Sequence, residues 1–196
     1  MGNIHIPPLS ILAERLIADC GLTEFVETGT FQGSTLPWAA SRFRRVRTIE
    51  IRADYQEQAR QRVGNLPNVE FLLGDSGVVL REVCQTLAGP ALFWLDAHAG
   101  AGFFGPDDDC PLLSEVDAVV DSPFDHCIFI DDARAFLAPP PPPFDYRKWP
   151  SLDEVMAVLS RRTDNLVVTI NDSLIAVPRR MREVVANYCA AVRPKI

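Results

Sequence analysis

Along this chain, five short apolar runs each end in an acid. E-F-V-E reaches Glu27, V-R-T-I-E reaches Glu50 and V-E-F-L-L leads through Gly74 to Asp75; A-L-F-W-L-D reaches Asp96, and C-I-F-I-D-D reaches Asp131 and Asp132. Helical stretches lie between them: Ser34 to Arg42, Ala53 to Val63, the segment from Ser76 to about Leu87, and Pro111 to Asp121. Strands alternating with helices predict a parallel sheet with crossover connections. The unbroken run from Ala91 to Asp96 reads as a central strand covered on both faces. Two last runs, N-L-V-V-T-I and L-I-A-V-P, flank Asn171-Asp172-Ser173 and predict a hairpin. The expected fold is α/β: a doubly wound, mainly parallel seven-stranded sheet with an antiparallel C-terminal hairpin strand.

The remaining segments frame that sheet. A length of 196 residues suits a single domain. Residues 1–22 read as an N-terminal helical segment, with apolar spacing from Pro7 to Asp19 and Gly21 as its stop. Ala133 to Pro150 reads as an irregular stretch holding Pro139 to Pro143, a stiff lid or wall over the site rather than a proline-rich ligand for another protein. Ser151 to Glu154 is a capping box that opens a helix, and the tail from Arg179 looks helical.

Composition narrows the partners. A formal charge of −7 disfavours nucleic acid and anionic membranes, and no apolar run is long enough to span a bilayer. The N-terminus lacks the pattern of a signal peptide, and Ile6 stands where myristoylation prefers Ser or Thr. Cys20, Cys84, Cys110, Cys127 and Cys189 are odd in number and without a C-x-x-C, which points to a reducing, cytoplasmic setting. The basic cluster Arg42, Arg44, Arg45 and Arg47 reads as solvated charge at a helix end. Oligomeric state is open, with a homodimer among the options.

Ligands of open α/β sheets sit beyond the carboxyl ends of the strands, where the acids gather. The first strand runs into E-T-G-T-F-Q-G-S-T, Glu27 to Thr35. A dinucleotide would need G-x-G-x-x-G, but Phe31 replaces the second glycine and Glu27 would repel a pyrophosphate. A phosphate-free cofactor carrying an ammonium and a sulfonium suits this corner better. Glu50, about 20 residues beyond the glycines, stands where a carboxylate takes ribose hydroxyls.

On these elements, together with G-D-S (Gly74 to Ser76), L-D-A-H (Leu95 to His98) and I-D-D (Ile130 to Asp132), the chain resembles the class I S-adenosylmethionine-dependent methyltransferases over nearly its whole length. The resemblance implies that Glu27 and Gly29 hold the methionine end, with Thr28, Thr30, Gly33, Ser34 and Thr35 completing the turn. Glu50 and Ile51 would meet the ribose side, and Gly74, Asp75 and Ser76 would face the adenine, with Asp96 also at the cofactor. Within that class the aspartates resemble those of metal-dependent small-molecule O-methyltransferases of the macrocin and catechol kind. That implies Asp96, Asp131 and Asp132 as ligands of Mg2+, with Asp96 catalytic, and a small hydroxylated molecule as methyl acceptor. His98, two residues after Asp96, departs from the family's pattern; an imidazole titrating near neutrality, it is read as a second catalytic residue that takes the acceptor's proton.

Other readings stand beside this one. His98 acts as sole base without a metal, or is a hydrogen-bonded loop residue; Asp131 or Asp132 pairs structurally with Arg134. Asp107, Asp108 and Asp109 read as a solvated loop. Phe103, Phe104, Phe144, Tyr146 and Trp149 either sheath an acceptor or pack the two long loops, and Arg134 or Arg147 could meet an anionic group on it. His5 and His126 attract no role. A non-catalytic cofactor-binding or scaffold domain is the reading from another class, and a nicotinamide oxidoreductase is last because its glycine pattern is missing.

Overall fold

The computed structural model describes residues 3–100, 109–162 and 164–192. Its sheet contains β1 (Glu24–Thr28), β2 (Arg45–Glu50), β3 (Val69–Leu73), β4 (Ala91–Leu95), β5 (Cys127–Ile130), β6 (Asn165–Ile170) and β7 (Ser173–Pro178). The strand order is β3-β2-β1-β4-β5-β7-β6. β7 runs antiparallel to both neighbours, and the pairings among β1 to β5 are parallel. The hairpin strand thus inserts between β5 and β6 rather than closing the edge. Its two-residue turn has positive φ at Asn171 and Asp172, the backbone that matches strand twist and that these two residue types tolerate.

Helices cover both faces. On one lie α4 (Ser76–Gln85), α5 (Leu112–Val120) and α7 (Leu152–Leu159), packing Leu80, Val83, Val116, Val155 and Leu159 on Val26, Phe93 and Ile128. On the other lie α1 (Leu9–Cys20), α2 (Leu36–Ala40) and α8 (Arg182–Val192), packing Leu12, Leu16, Leu36 and Tyr188 on Phe25, Leu92, Trp94 and Phe129. Alternate residues of each central strand therefore go to opposite cores, the pattern of a strand buried on both sides. α3 (Ala53–Val63) fills the crossover from β2 to β3. Among the described residues no helix is long and apolar enough to cross a membrane.

Three expectations need correction. The first crossover helix is short, because Gly33 to Thr35 continue the turn and the helix begins only at Leu36. The stretch from Ala133 to Pro150 is not wholly irregular: it contains α6 (Arg134–Leu137) and a 3-10 turn over Tyr146–Lys148. Arg47 is not solvated like Arg42, Arg44 and Arg45. It lies within β2, 2% exposed, with its guanidinium 3.4 Å from the buried Glu24 carboxylate and 3.5 Å from Glu70, and it donates to the Val83 carbonyl. Strand alternation turned it inward, and Glu24, two residues before Val26 on the same face of β1, supplied its counter-charge.

Removing one partner of such a pair strands the other charge in the core. Arg47→Ala should therefore cost about 3 kcal/mol in urea unfolding at pH 7. Arg42→Ala, which loses a solvent-exposed pair with Glu14 and surface contacts with Trp38 and Ser41, should cost about 1 kcal/mol.

Candidate functional site

The turn after β1 is built on three left-handed residues: Gly29 (φ 81), Phe31 (φ 43) and Gly33 (φ 70). At Gly29 the requirement is absolute, since a Cβ there would stand 2.3 Å from the Asp96 carbonyl oxygen. The Asp96 N–H donates to the backbone oxygen and Oγ1 of Thr28, both at 3.2 Å. The ends of β1 and β4 are thus pressed together, which draws the Glu27 and Asp96 carboxylates to one rim.

Glu27 is 2% exposed. Thr30 Oγ1 donates to Thr48 Oγ1 (2.6 Å), and Thr48 in turn donates to Glu27 Oε2 (2.8 Å), while Thr35 also hydrogen-bonds the carboxylate. Burial nonetheless dominates and pushes the Glu27 pKa up to about 7, with Glu50 adding to the rise. Each oxygen of Glu50 accepts one backbone N–H, from Phe31 at 2.9 Å and Arg52 at 3.0 Å. Those bonds fix its orientation and leave lone pairs on both oxygens for hydroxyl donors. Ile51, beside it, is exposed.

Next along the rim, the Gly74 N–H donates to the Glu50 carbonyl, and Asp75 caps α4 by accepting from the Gly77 N–H at 2.8 Å. Ser76 is buried at the start of that helix, and Ser34 lies in the turn that leads to Thr35.

On the far side of β1, Asp96, His98 and Asp132 converge. His98 Nδ1 is 3.3 Å from the Ala99 carbonyl, which can only accept, so Nδ1 carries the proton. Nε2 lies 3.4 Å from Asp96 Oδ1 and 3.7 Å from Asp132 Oδ2 and makes no hydrogen bond among the described residues. Burial lowers the His98 pKa, so the ring is neutral near pH 7 with a free lone pair on Nε2. Burial first, then Asp131 and Asp132, raise the Asp96 pKa well above its ordinary value. The arrangement can hold a proton and take up another. Trp149 packs on the ring with centroids 5.2 Å apart, held in turn by Phe136 and Phe144. Asp131 is buried directly after β5.

Asp132, at φ 53, forms an ion pair with Arg134 (2.9 Å), whose guanidinium also bonds Asp172 in the β6–β7 turn. The pairing of Asp132 with Arg134 was one of the two roles open to it. Mg2+ on Asp96, Asp131 and Asp132 finds less support. Arg134 takes one Asp132 oxygen, the His98 ring stands between Asp96 and Asp132, and among the described residues no three His, Cys, Asp or Glu side chains group to hold a metal ion. This donor set does not fit a divalent cation as it is arranged.

Sequence reasoning missed Thr48, whose role appears only once the parallel register sets it opposite Glu27, and Asp172, which read as a turn residue only. Asp109 is a correction: it is 5% exposed and ion-paired with Lys148 at 3.5 Å, not solvated. Phe103, Phe104, Asp107 and Asp108 lie outside the described residues.

The Glu27 pKa makes a stability prediction. The folded state binds a proton there between 4.5 and about 7 that the unfolded state has released, so the stability this group contributes at low pH is lost as pH rises through 7. Glu27→Gln keeps an acceptor for Thr48 and removes the charge. It should stabilise the protein by about 2 kcal/mol at pH 8 and by almost nothing at pH 4, measured by urea unfolding.

No protein-family model and no curated protein matches the chain. Solved structures do resemble it. One is a protein assigned as an O-methyltransferase from Klebsiella pneumoniae, with TM-score 0.60 and 17% identity over 86% of this chain and 78% of that one. Another is SAH-bound methyltransferase PaMTH1 from Podospora anserina, with TM-score 0.59 and 16% identity over 89% and 80%. A third is SAM-bound CalS10, an amino pentose methyltransferase from Micromonospora echinaspora, with TM-score 0.57 and 11% identity over 91% and 92%. At these identities the likeness is one of architecture: the chain has the fold of the class I S-adenosylmethionine-dependent methyltransferases.

Proposed function

We propose that this chain is an S-adenosylmethionine-dependent methyltransferase that O-methylates a small hydroxylated molecule, with His98 as general base and no metal in the step. The observation that carries the reading is the charge at the rim. Burial first, then neighbouring acids, raise the pKa values of Glu27 and of the partly exposed Asp96, and Glu50 stands beside them, oriented by two backbone N–H groups. A ligand with an ammonium and a sulfonium relieves that repulsion at Glu27 and Asp96, and its ribose hydroxyls can donate to Glu50. Gly74, Asp75 and Ser76 would border its adenine.

When bound, the sulfonium supplies an electrophilic methyl group. His98 Nε2 would accept the acceptor's hydroxyl proton as the oxygen attacks, while Asp132 and Asp96 stabilise the imidazolium that forms. Trp149 and Phe144 would wall the acceptor side and keep water out. An acidic rim disfavours a polyanionic acceptor such as nucleic acid. Five free thiols suit a reducing, cytoplasmic setting.

Isothermal titration with S-adenosylhomocysteine tests the cofactor. The wild-type protein should bind, and Glu27→Ala and Glu50→Ala should each weaken binding at least ~30-fold. Because the bound ammonium favours ionised Glu27, affinity should rise severalfold between pH 6 and pH 8. No binding by the wild-type protein removes the proposal.

Turnover on a panel of phenols, catechols and sugars tests the base. His98→Gln should leave cofactor affinity intact and lower methyl transfer by about a hundredfold. A chelator should have no effect. Loss of activity in chelator that Mg2+ restores would return the metal to Asp96, Asp131 and Asp132, and binding without turnover would favour a binding domain.

A further inference from the structure

Two cysteines that the methyl-transfer site does not use face each other at the opposite end of the sheet. Cys20 is the last residue of α1 and Cys127 the first of β5, 107 positions later, and their Sγ atoms lie 3.8 Å apart. Cys127 is fully buried, whereas Cys20 is half-buried and open to a small reagent. Gly21 follows Cys20 at φ 62 with no atom within 4 Å of where a Cβ would be, so the end of α1 has room to shift. We propose that Cys20 and Cys127 form a thiol–disulfide pair that exchanges with a small disulfide of the glutathione type. Closing the bond requires the sulfurs to move from 3.8 Å to the ~2.05 Å of a disulfide, a change that side-chain rotation and a slight helix shift can supply.

Each sulfur has a distinct role. The hydrogen bond from Cys127 lowers the Cys20 pKa, and the Arg180 guanidinium, itself paired with Asp125, acts in the same direction. Cys20 is therefore the attacking thiolate, and the hydrogen bond to Cys20, together with burial, keeps Cys127 protonated until the second step. Cys20 attacks one sulfur of the small disulfide, whose S–S bond breaks and releases one small thiolate. Cys127 then gives its proton to solvent, attacks Cys20 Sγ and expels the second small thiolate. The net change oxidises two protein thiols to a disulfide and reduces the small disulfide to two thiols.

The proposal does not rest on the methyl-transfer reading, and its test needs no cofactor. The native full-length protein is equilibrated at pH 8 in mixtures of reduced and oxidised glutathione, then read by intact mass and non-reducing peptide mapping. The expected result is loss of two hydrogens, a linked peptide pair containing Cys20 and Cys127, a melting temperature raised by ~5 °C, and full reversal by dithiothreitol. Cys20→Ser and Cys127→Ala should each abolish the link, and Cys189→Ser should leave it. The half-buried Cys20→Ser variant keeps the test valid if Cys127→Ala does not fold. Glutathione retained on Cys20 without loop closure, a Cys20–Cys189 link, or bond formation only in urea would each overturn the proposal.

Discussion

The contact between Gly29 and the carbonyl of Asp96 governs the geometry of the rest. No side chain larger than hydrogen fits there, because a Cβ would lie 2.3 Å from that oxygen. The close approach lets Asp96 donate its N–H back to Thr28, so the turn after β1 and the loop after β4 are one unit. β1 and β4 lie where the strand order reverses, and a crevice opens at such a point in every open α/β sheet. Here the same contact decides which charges line it. Glu27 comes from one side and Asp96 from the other, with β2 adding Glu50.

Charge in this molecule is handled in two ways. Where structure alone is at stake, acids are matched: Arg47 meets Glu24 in the core, and Arg81 and Arg161 tie α4 and the end of α7 to Asp117 and Asp121. On the rim Asp132 is matched by Arg134, but at Glu27 and Asp96 the matching stops. Among the described residues Glu27 has hydroxyl donors but no cation, and Asp96, beside a neutral His98, has its pKa raised first by burial and then by Asp131 and Asp132. Leaving Glu27 and Asp96 without a cation costs stability, which supports the proposed positively charged ligand at this rim.

The sheet was legible in the sequence because its signals are local. Apolar runs with acid ends marked the five parallel strands, and the boundaries of β1, α3 and β3 coincide with the pattern. Glu27, Glu50 and Asp96 could be placed on one rim since parallel strands share a direction. What stayed hidden depended on partners distant in sequence. Arg47 looked like surface charge until Glu24 came into range, and Thr48 gained its role from register with Glu27. α6 escaped notice because one turn of helix has no periodicity to read. Its start is held instead by Asp172, whose carbonyl accepts from the Ala133 N–H and whose carboxylate accepts from the Arg134 N–H.

That hairpin turn also bears on whether the aspartates act as a metal set or a proton set. Asp132 stands two residues past the end of β5 with positive φ. Asp172 fixes Arg134, and Arg134 holds one oxygen of Asp132, so the other faces His98. With Trp149 against the ring and Ala99 holding Nδ1–H, the imidazole has one free nitrogen and one direction in which to use it. A divalent ion would have to displace both the guanidinium and the ring. A proton needs neither to move, which supports the proposed role of His98 as base.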